Sequence, residues 1–199
     1  MCGRYSLSIT LKDLLNRYHI NNKANIEFSP KNEIFPSQKA PIVKETDDKT
    51  DIKLYKWGFS PSFTNNLIIN ARGESVDQKP TFKNSFLNKR CLIPVTGFYE
   101  WQNTDNKKNK YNITVKNEKV FSLAGIYDSF KNNNGDIKNA FSIITISANK
   151  KINPIHHRMP VIIEKQVEKT WLNSKIKNRK QLKNMLKPFP DENILKIPV

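Results

Sequence analysis

The sequence predicts an α+β domain built mainly from antiparallel β-structure, closed into a barrel-like core with a few short flanking helices. Three observations lead there. Short runs rich in β-branched and aromatic residues recur along the chain, separated by polar stretches of hairpin length. Helical periodicity is confined to a few brief windows. The 199 residues match one domain, long enough to bury a core, and no internal repeat or linker divides residues 1–199.

Taken in order, Cys2 to Ile9 alternates in character and is rich in strand formers. Thr10 is placed to cap a helix over Leu11 to Tyr18, where Leu11, Leu14, Leu15 and Tyr18 share a face. Ala40 to Lys44 and Ile52 to Phe59 flank the polar turn Thr46-Asp47-Asp48-Lys49-Thr50 and read as a hairpin. Leu67 to Asn70 is a further strand, and Phe82 to Leu87 a short helix. Arg90 to Val95, Gly97 to Trp101, Tyr111 to Lys116, Val120 to Ile126, Phe141 to Ser147 and Met159 to Ile163 complete the sheet. Asn103 to Lys110 and Lys131 to Gly135 read as hairpin tips or loops. Glu164 to Leu172 and Lys180 to Leu186 form a helical tail, closed by Pro188 and Pro190.

Lys and Arg outnumber Asp and Glu 34 to 18, a net charge of +16. Such a field draws phosphates, nucleic acid or an anionic membrane surface, and is silent about fold. Compositional drift toward Lys and Asn is the other reading of the same charge. No apolar run approaches the roughly 18 residues of a membrane span, and the N-terminus has no secretory signal, so a soluble, intracellular protein is expected. Cys2 and Cys91 are too few for a disulfide framework. With no CxxC pair, and with only His19, His156 and His157, neither a metal nor a cofactor is expected.

Five features carry candidate chemistry. Cys2 follows the initiator Met1, and removal of Met1 would leave one residue with an α-amine and a thiol on adjacent carbons. The amine attacks an aldehyde to give a Schiff base, and the thiol closes a five-membered ring on it. The alternative is a small buried hydrophobe, the reading favoured for Cys91. Arg is the second feature: the chain has 28 Lys but 6 Arg, and Arg4, Arg72 and Arg158 stand beside its other unusual residues. A planar fork suits phosphate, or else a structural carboxylate partner. Glu100 lies within Gly97-Phe98-Tyr99-Glu100-Trp101, where an apolar surround would raise its pKa and suit it to proton transfer. His156 or His157 could shuttle a proton, or be merely structural. Trp57, in Trp57-Gly58-Phe59-Ser60-Pro61, could stack on exposed bases or sit in the core.

In this order, Met1-Cys2-Gly3-Arg4-Tyr5, Trp57 to Pro61, Asn70-Ala71-Arg72-Gly73-Glu74-Ser75, Arg90-Cys91-Leu92-Ile93-Pro94, Gly97 to Trp101 and His156-His157-Arg158-Met159-Pro160 closely resemble the SRAP family. These are the SOS-response-associated peptidase, or abasic-site-processing, proteins, and the resemblance covers nearly the whole chain. It implies an antiparallel SRAP core with short helices. It also implies a cytoplasmic, nucleoid-associated, bacterial-type protein, monomeric, acting on single-stranded DNA that contains abasic sites. The resemblance makes Cys2 the nucleophile of a thiazolidine DNA–protein crosslink, after loss of Met1 by an autopeptidase step, with an abasic-site lyase activity beside it. Asn70 would position Cys2 and the sugar. Glu100 would act as acid and base, and His156 would assist proton transfer. Arg4 and Arg72 would hold flanking phosphates, Arg158 would join the DNA contacts, and Trp57 would line the cleft. Three departures stand out. Glu33 and Phe35 replace the Asn and Ala of the usual Asn-x-Ala-Pro loop, and His156-His157 replaces His-Asp. The chain stops at Ile197-Pro198-Val199, so the family's C-terminal segment is expected to be shortened. An N-terminal-nucleophile amidotransferase, a Cys–His protease and a non-catalytic single-strand-binding module are the competing readings.

Overall fold

The computed structural model describes residues 2–21, 26–104, 107–131 and 134–199. Met1 and the loop positions 105–106 and 132–133, parts of the expectations above, lie outside the described residues. In chain order the elements are β1 (Tyr5–Leu7), α1 (Leu11–Arg17), β2 (Lys31–Ile34), β3 (Lys39–Thr46), β4 (Lys49–Trp57), β5 (Asn70–Arg72) and α2 (Pro80–Asn88). There follow β6 (Arg90–Val95), β7 (Gly97–Thr104), β8 (Lys107–Val115), β9 (Phe121–Lys131), β10 (Ile137–Ser147), β11 (Arg158–Pro160) and β12 (Ile162–Ile163). The chain closes with α3 (Lys165–Leu172), α4 (Arg179–Asn184) and β13 (Ile194–Pro198).

Strands β4, β3, β6, β9 and β10 form a closed barrel. Each pairs with the next, and β10 returns to β4 to seal the ring. All of these pairings are antiparallel except β10 with β4. Beyond Phe141, β10 leaves β4 and pairs with β5, then with β11 on its other edge. A second, fully antiparallel sheet runs β13-β8-β7-β1-β2. A single residue, Thr96, separates β6 from β7, so one stretch of chain passes from the barrel into this sheet. The α+β, mainly antiparallel, barrel-like class read from the sequence is therefore the class observed.

Local chemistry explains the elements. Thr10 accepts a hydrogen bond from the Asp13 amide and caps α1 as expected. Asp47 and Asp48 both have positive φ, 50° and 59°, the geometry of a tight type I′ hairpin turn between β3 and β4. Pro80 opens α2, where a missing N–H costs nothing. Arg90 is buried and donates to the carbonyls of Trp171, Phe86, Leu87 and Asn173, tying α2 and the end of α3 to the barrel. Burial pulls its pKa down to about 10.

Two strands have no counterpart in the sequence reading. β2 is the polar tetrapeptide Lys-Asn-Glu-Ile, and it is a strand because β1 offers it an edge. β13 follows Pro188 and Pro190 and pairs with β8 along its whole length. Asn103 to Lys110 is largely strand rather than loop, because β7 and β8 keep pairing to Thr104↔Lys107 despite the polar composition.

Candidate active site

The chain ahead of β1 is threaded between the two sheets. The Tyr99 amide donates to the Arg4 carbonyl at 2.8 Å, fixing this segment against β7. Cys2 is fully buried, and its Sγ lies 3.9 Å from the same Arg4 carbonyl. From the barrel side, β10 carries β5, with Ile143 opposite Asn70. Asn70 Nδ2 donates to the Cys2 carbonyl at 3.0 Å. Asn70 Oδ1 is buried and has no hydrogen-bond partner among the described residues. An acceptor in that condition costs free energy unless something donates to it.

Glu100 arrives from β7. It lies two residues beyond Phe98 on the strand, so the two share a face. Glu100 is 3% exposed, and burial pushes its carboxyl up to about 7. The Cys2 thiol is raised far above its usual value, first by burial and then by the charge of Glu100. Asn70 on β5 thus touches Cys2 ahead of β1, and Glu100 on β7 is near enough for its charge to act on the Cys2 thiol.

His156 sits in the segment between β10 and β11. Gln102 Nε2 on β7 donates to the Pro154 carbonyl at 3.1 Å and draws this segment toward the strand that carries Glu100. The Arg158 amide donates to His156 Nδ1 at 2.9 Å, which leaves the neutral ring's proton on Nε2. Burial lowers the pKa of His156, which favours the neutral ring. His157 stacks on it, with centroids 4.5 Å apart.

The four DNA-contact candidates fare differently. Arg72 is exposed on β5, two residues from Asn70 and on the same side of the strand. The Arg4 guanidinium lies against two aromatic rings, 4.3 Å from the Phe35 centroid and 5.0 Å from that of Trp101, and donates to Glu33 Oε2 at 3.1 Å. Trp57 corrects the expectation of a cleft-lining side chain. It is fully buried against Tyr5 at 5.0 Å and Phe141 at 6.3 Å, and its Nε1 donates to the Ile69 carbonyl. With no exposed surface it packs in the core and offers no face to a base. Arg158 is a second correction. It is 9% exposed, grips Glu74 bidentately at 2.6 and 2.9 Å, and donates to the Thr145 carbonyl at 2.6 Å. Those bonds tie β11 and β10 to the turn after β5 and occupy both terminal nitrogens of its fork. Cys91 is a buried core residue, as expected.

Three features near the site went unread in the sequence. Glu33 bridges Arg4 and Lys110. Lys110 also lies 4.3 Å from the Tyr99 ring centroid. A groove of about 770 Å³ opens beyond Ser37, two residues past Phe35. Lys39, Lys56, Lys131 and Lys138 line it, and no carboxylate does. The pairing Lys39↔Lys56 across β3 and β4, a like-charge neighbour pair, is visible once the hairpin register is known. Among the described residues, no group of three or more His, Cys, Asp or Glu side chains is arranged to hold a metal ion.

Known proteins share this fold. The crystal structure of a protein from Bacteroides thetaiotaomicron superposes with a TM-score of 0.89 at 27% identity, covering 100% of this chain and 92% of that one. The abasic site processing protein YoqW of Bacillus subtilis (strain 168) is 31% identical over 201 residues, 98% of this chain and 90% of that protein. The abasic site processing protein YedK of Escherichia coli (strain K12) is 25% identical over 184 residues, 90% of this chain and 82% of that protein. The family model described as SOS response associated peptidase (SRAP) matches residues 1–199, and the chain belongs to that family.

Proposed function

We propose that this protein processes abasic sites in single-stranded DNA by forming a thiazolidine crosslink through Cys2. The observation that carries the reading is the Asn70–Cys2 hydrogen bond, with a Glu100 carboxyl raised to about 7 acting on the same thiol. The names of the relatives support the abasic site as substrate.

The chemistry proceeds in balanced steps. Hydrolysis of the Met1–Cys2 peptide bond consumes one water and frees the Cys2 α-amine. The ring-opened sugar presents an aldehyde at C1′. The amine adds to it, and loss of one water gives the imine. The thiol then adds across the C=N bond, sulfur to carbon and proton to nitrogen, closing the thiazolidine. Glu100, near half-ionised at neutral pH, gives a proton to the departing water and takes one from the thiol. Neutral His156, with its proton on Nε2, serves the sugar oxygen. Asn70 holds the Cys2 carbonyl and keeps Oδ1 for a donor on the substrate. Arg72 contacts a flanking phosphate. The same imine activates C2′ for proton loss and cleavage of the C3′–O bond, which gives the lyase activity.

A Cys–His protease would need an activated thiolate. Here burial and Glu100 push the thiol in the opposite direction, and this favours attack by the amine first. The deciding experiment mixes the protein with single-stranded DNA carrying one abasic site. A denaturing gel should show a stable adduct with the wild type and none with Cys2→Ala, and intact mass should show the chain without Met1. A wild-type level of unreduced adduct in Cys2→Ala would reject the thiazolidine.

A further inference from the structure

We infer that Arg4 and Lys110 form a seat for one phosphodiester of single-stranded DNA beside the lesion, and that the Glu33 carboxylate fills this seat until DNA displaces it. The inference rests on the reading that single-stranded DNA binds here, and it adds a residue, Lys110, and an internal competitor, Glu33.

Three Arg–carboxylate contacts allow a comparison. Arg17 grips Glu168 through both terminal nitrogens, at 3.1 and 2.7 Å. Arg158 grips Glu74 the same way at 2.6 and 2.9 Å. These are closed, fork-to-fork pairs of the kind that brace a fold. Arg4 touches Glu33 through Nη1 alone; its Nε is buried without a partner among the described residues, as is that of Arg158, so the single terminal contact is what sets Arg4 apart. Its fork is therefore incompletely used.

The surround fits an anion that comes and goes. The Arg4, Glu33 and Lys110 side chains are 30%, 28% and 22% exposed, so solvent and a ligand reach all three. The Phe35 and Trp101 rings both lie against the guanidinium, and the Tyr99 ring lies against the ammonium. The cations stay aimed at the same point when the carboxylate leaves, because the rings, not Glu33, fix them. Lys110 lies opposite Trp101 in the β7–β8 register, and Arg4 precedes β1, which pairs with β7. Backbone pairing thus sets the spacing of the two charges. Arg4 is two residues from Cys2, at most about 7 Å of backbone, so a phosphate in this seat adjoins the reacting sugar. A carboxylate held by two cations is the protein's own imitation of that phosphate.

The sign of one substitution tests this. Affinity is measured on single-stranded DNA bearing a tetrahydrofuran abasic analogue, which has no aldehyde and cannot crosslink, at several salt concentrations. Glu33→Gln keeps the shape and removes the competitor. It is expected to bind about two- to fivefold more tightly, the range an exposed ion pair is worth. Its plot of log affinity against log salt should steepen by up to about 0.7, one more phosphate neutralised on a single strand. Lys110→Gln should weaken binding, and Glu33→Gln should give no gain when Arg4 is also Gln. If Arg4→Gln weakens binding while Glu33→Gln leaves it unchanged or weaker, Glu33 is a brace for Arg4 and the inference is overturned. If the wild type binds the oligonucleotide but Arg4→Gln and Lys110→Gln have no effect, no phosphate sits there. If the wild type itself fails to bind, it is the DNA reading that fails.

Discussion

At neutral pH the Glu100 carboxyl is close to half ionised, because burial has pushed it up to about 7. A group in that state gives and takes protons near pH 7, as imine chemistry requires. Glu100→Gln preserves shape and abolishes the exchange. Adduct formation, followed on gels from about pH 5 to about pH 9, is expected to slow by about 10²–10⁴-fold and lose the pH dependence contributed by this group. Stability should move the other way. The folded carboxyl holds its proton more tightly than the unfolded one, so Glu100 favours the fold below the unfolded value of 4.5 and loses that contribution as pH rises to about 7. Glu100→Gln does not titrate. It should gain on the wild type through that window, by up to about 3 kcal/mol above pH 7, seen as a melting-temperature difference that grows with pH. Arg72 makes a separate forecast. Arg72→Lys keeps the net charge but loses the planar fork, and should cost about 1–3 kcal/mol of affinity for abasic single-stranded DNA, where Lys107→Gln in the hairpin costs much less.

Elements in this chain depend on their neighbours to different degrees. α1 and the β3–β4 hairpin are encoded locally, by Thr10 and by the Asp47-Asp48 turn, and both were readable from a few adjacent residues. β2 and β13 have no such signal and exist because β1 and β8 present free edges. The barrel itself depends on one crowded crossing. Gly125 on β9 pairs with Cys91 on β6 and Ile143 on β10 at once. A Cβ there would lie 2.3 Å from Ile93 Cδ1 and 2.9 Å from Cys91 Sγ. Gly125→Ala should therefore destabilise by about 1–3 kcal/mol, through forced rotamers in a packed core, and a thermal melt measures it.

For the whole molecule, the +16 charge sets how binding responds to salt. On single strands each neutralised phosphate contributes about −0.7 to the slope of log affinity against log salt. Lys39, Lys56 and Lys131 in the groove past Ser37 have no carboxylate partner among the described residues. Changing all three to Gln should flatten the slope by up to about 2. The same change at Lys12, Lys83 and Lys180, outside the groove, should alter it far less. Equal effects from both triples would mean that charge acts only as a diffuse field.

The strand cores, the α1 cap, the order of the motifs and the chemical suitability of Cys2, Glu100 and one of the two histidines could be read from residues in a row. Each depends on side-chain type or on spacings of a few positions, which local backbone preference converts directly into structure. Asn70 and the choice of His156 came from the family resemblance. The structure decided what lies next to what. Trp57 had two readings, and packing between Tyr5 and Phe141 selected the core. Arg158 had two readings, and Glu74 and Thr145 selected the brace. Glu33, Arg4 and Lys110 are separated by 29 and 77 positions in sequence and meet only because β1, β2, β7 and β8 are adjacent in one sheet. Strand partners are chosen by long-range register and burial, terms to which a residue's own neighbours in sequence contribute little, so that cluster becomes visible only once the sheet has formed.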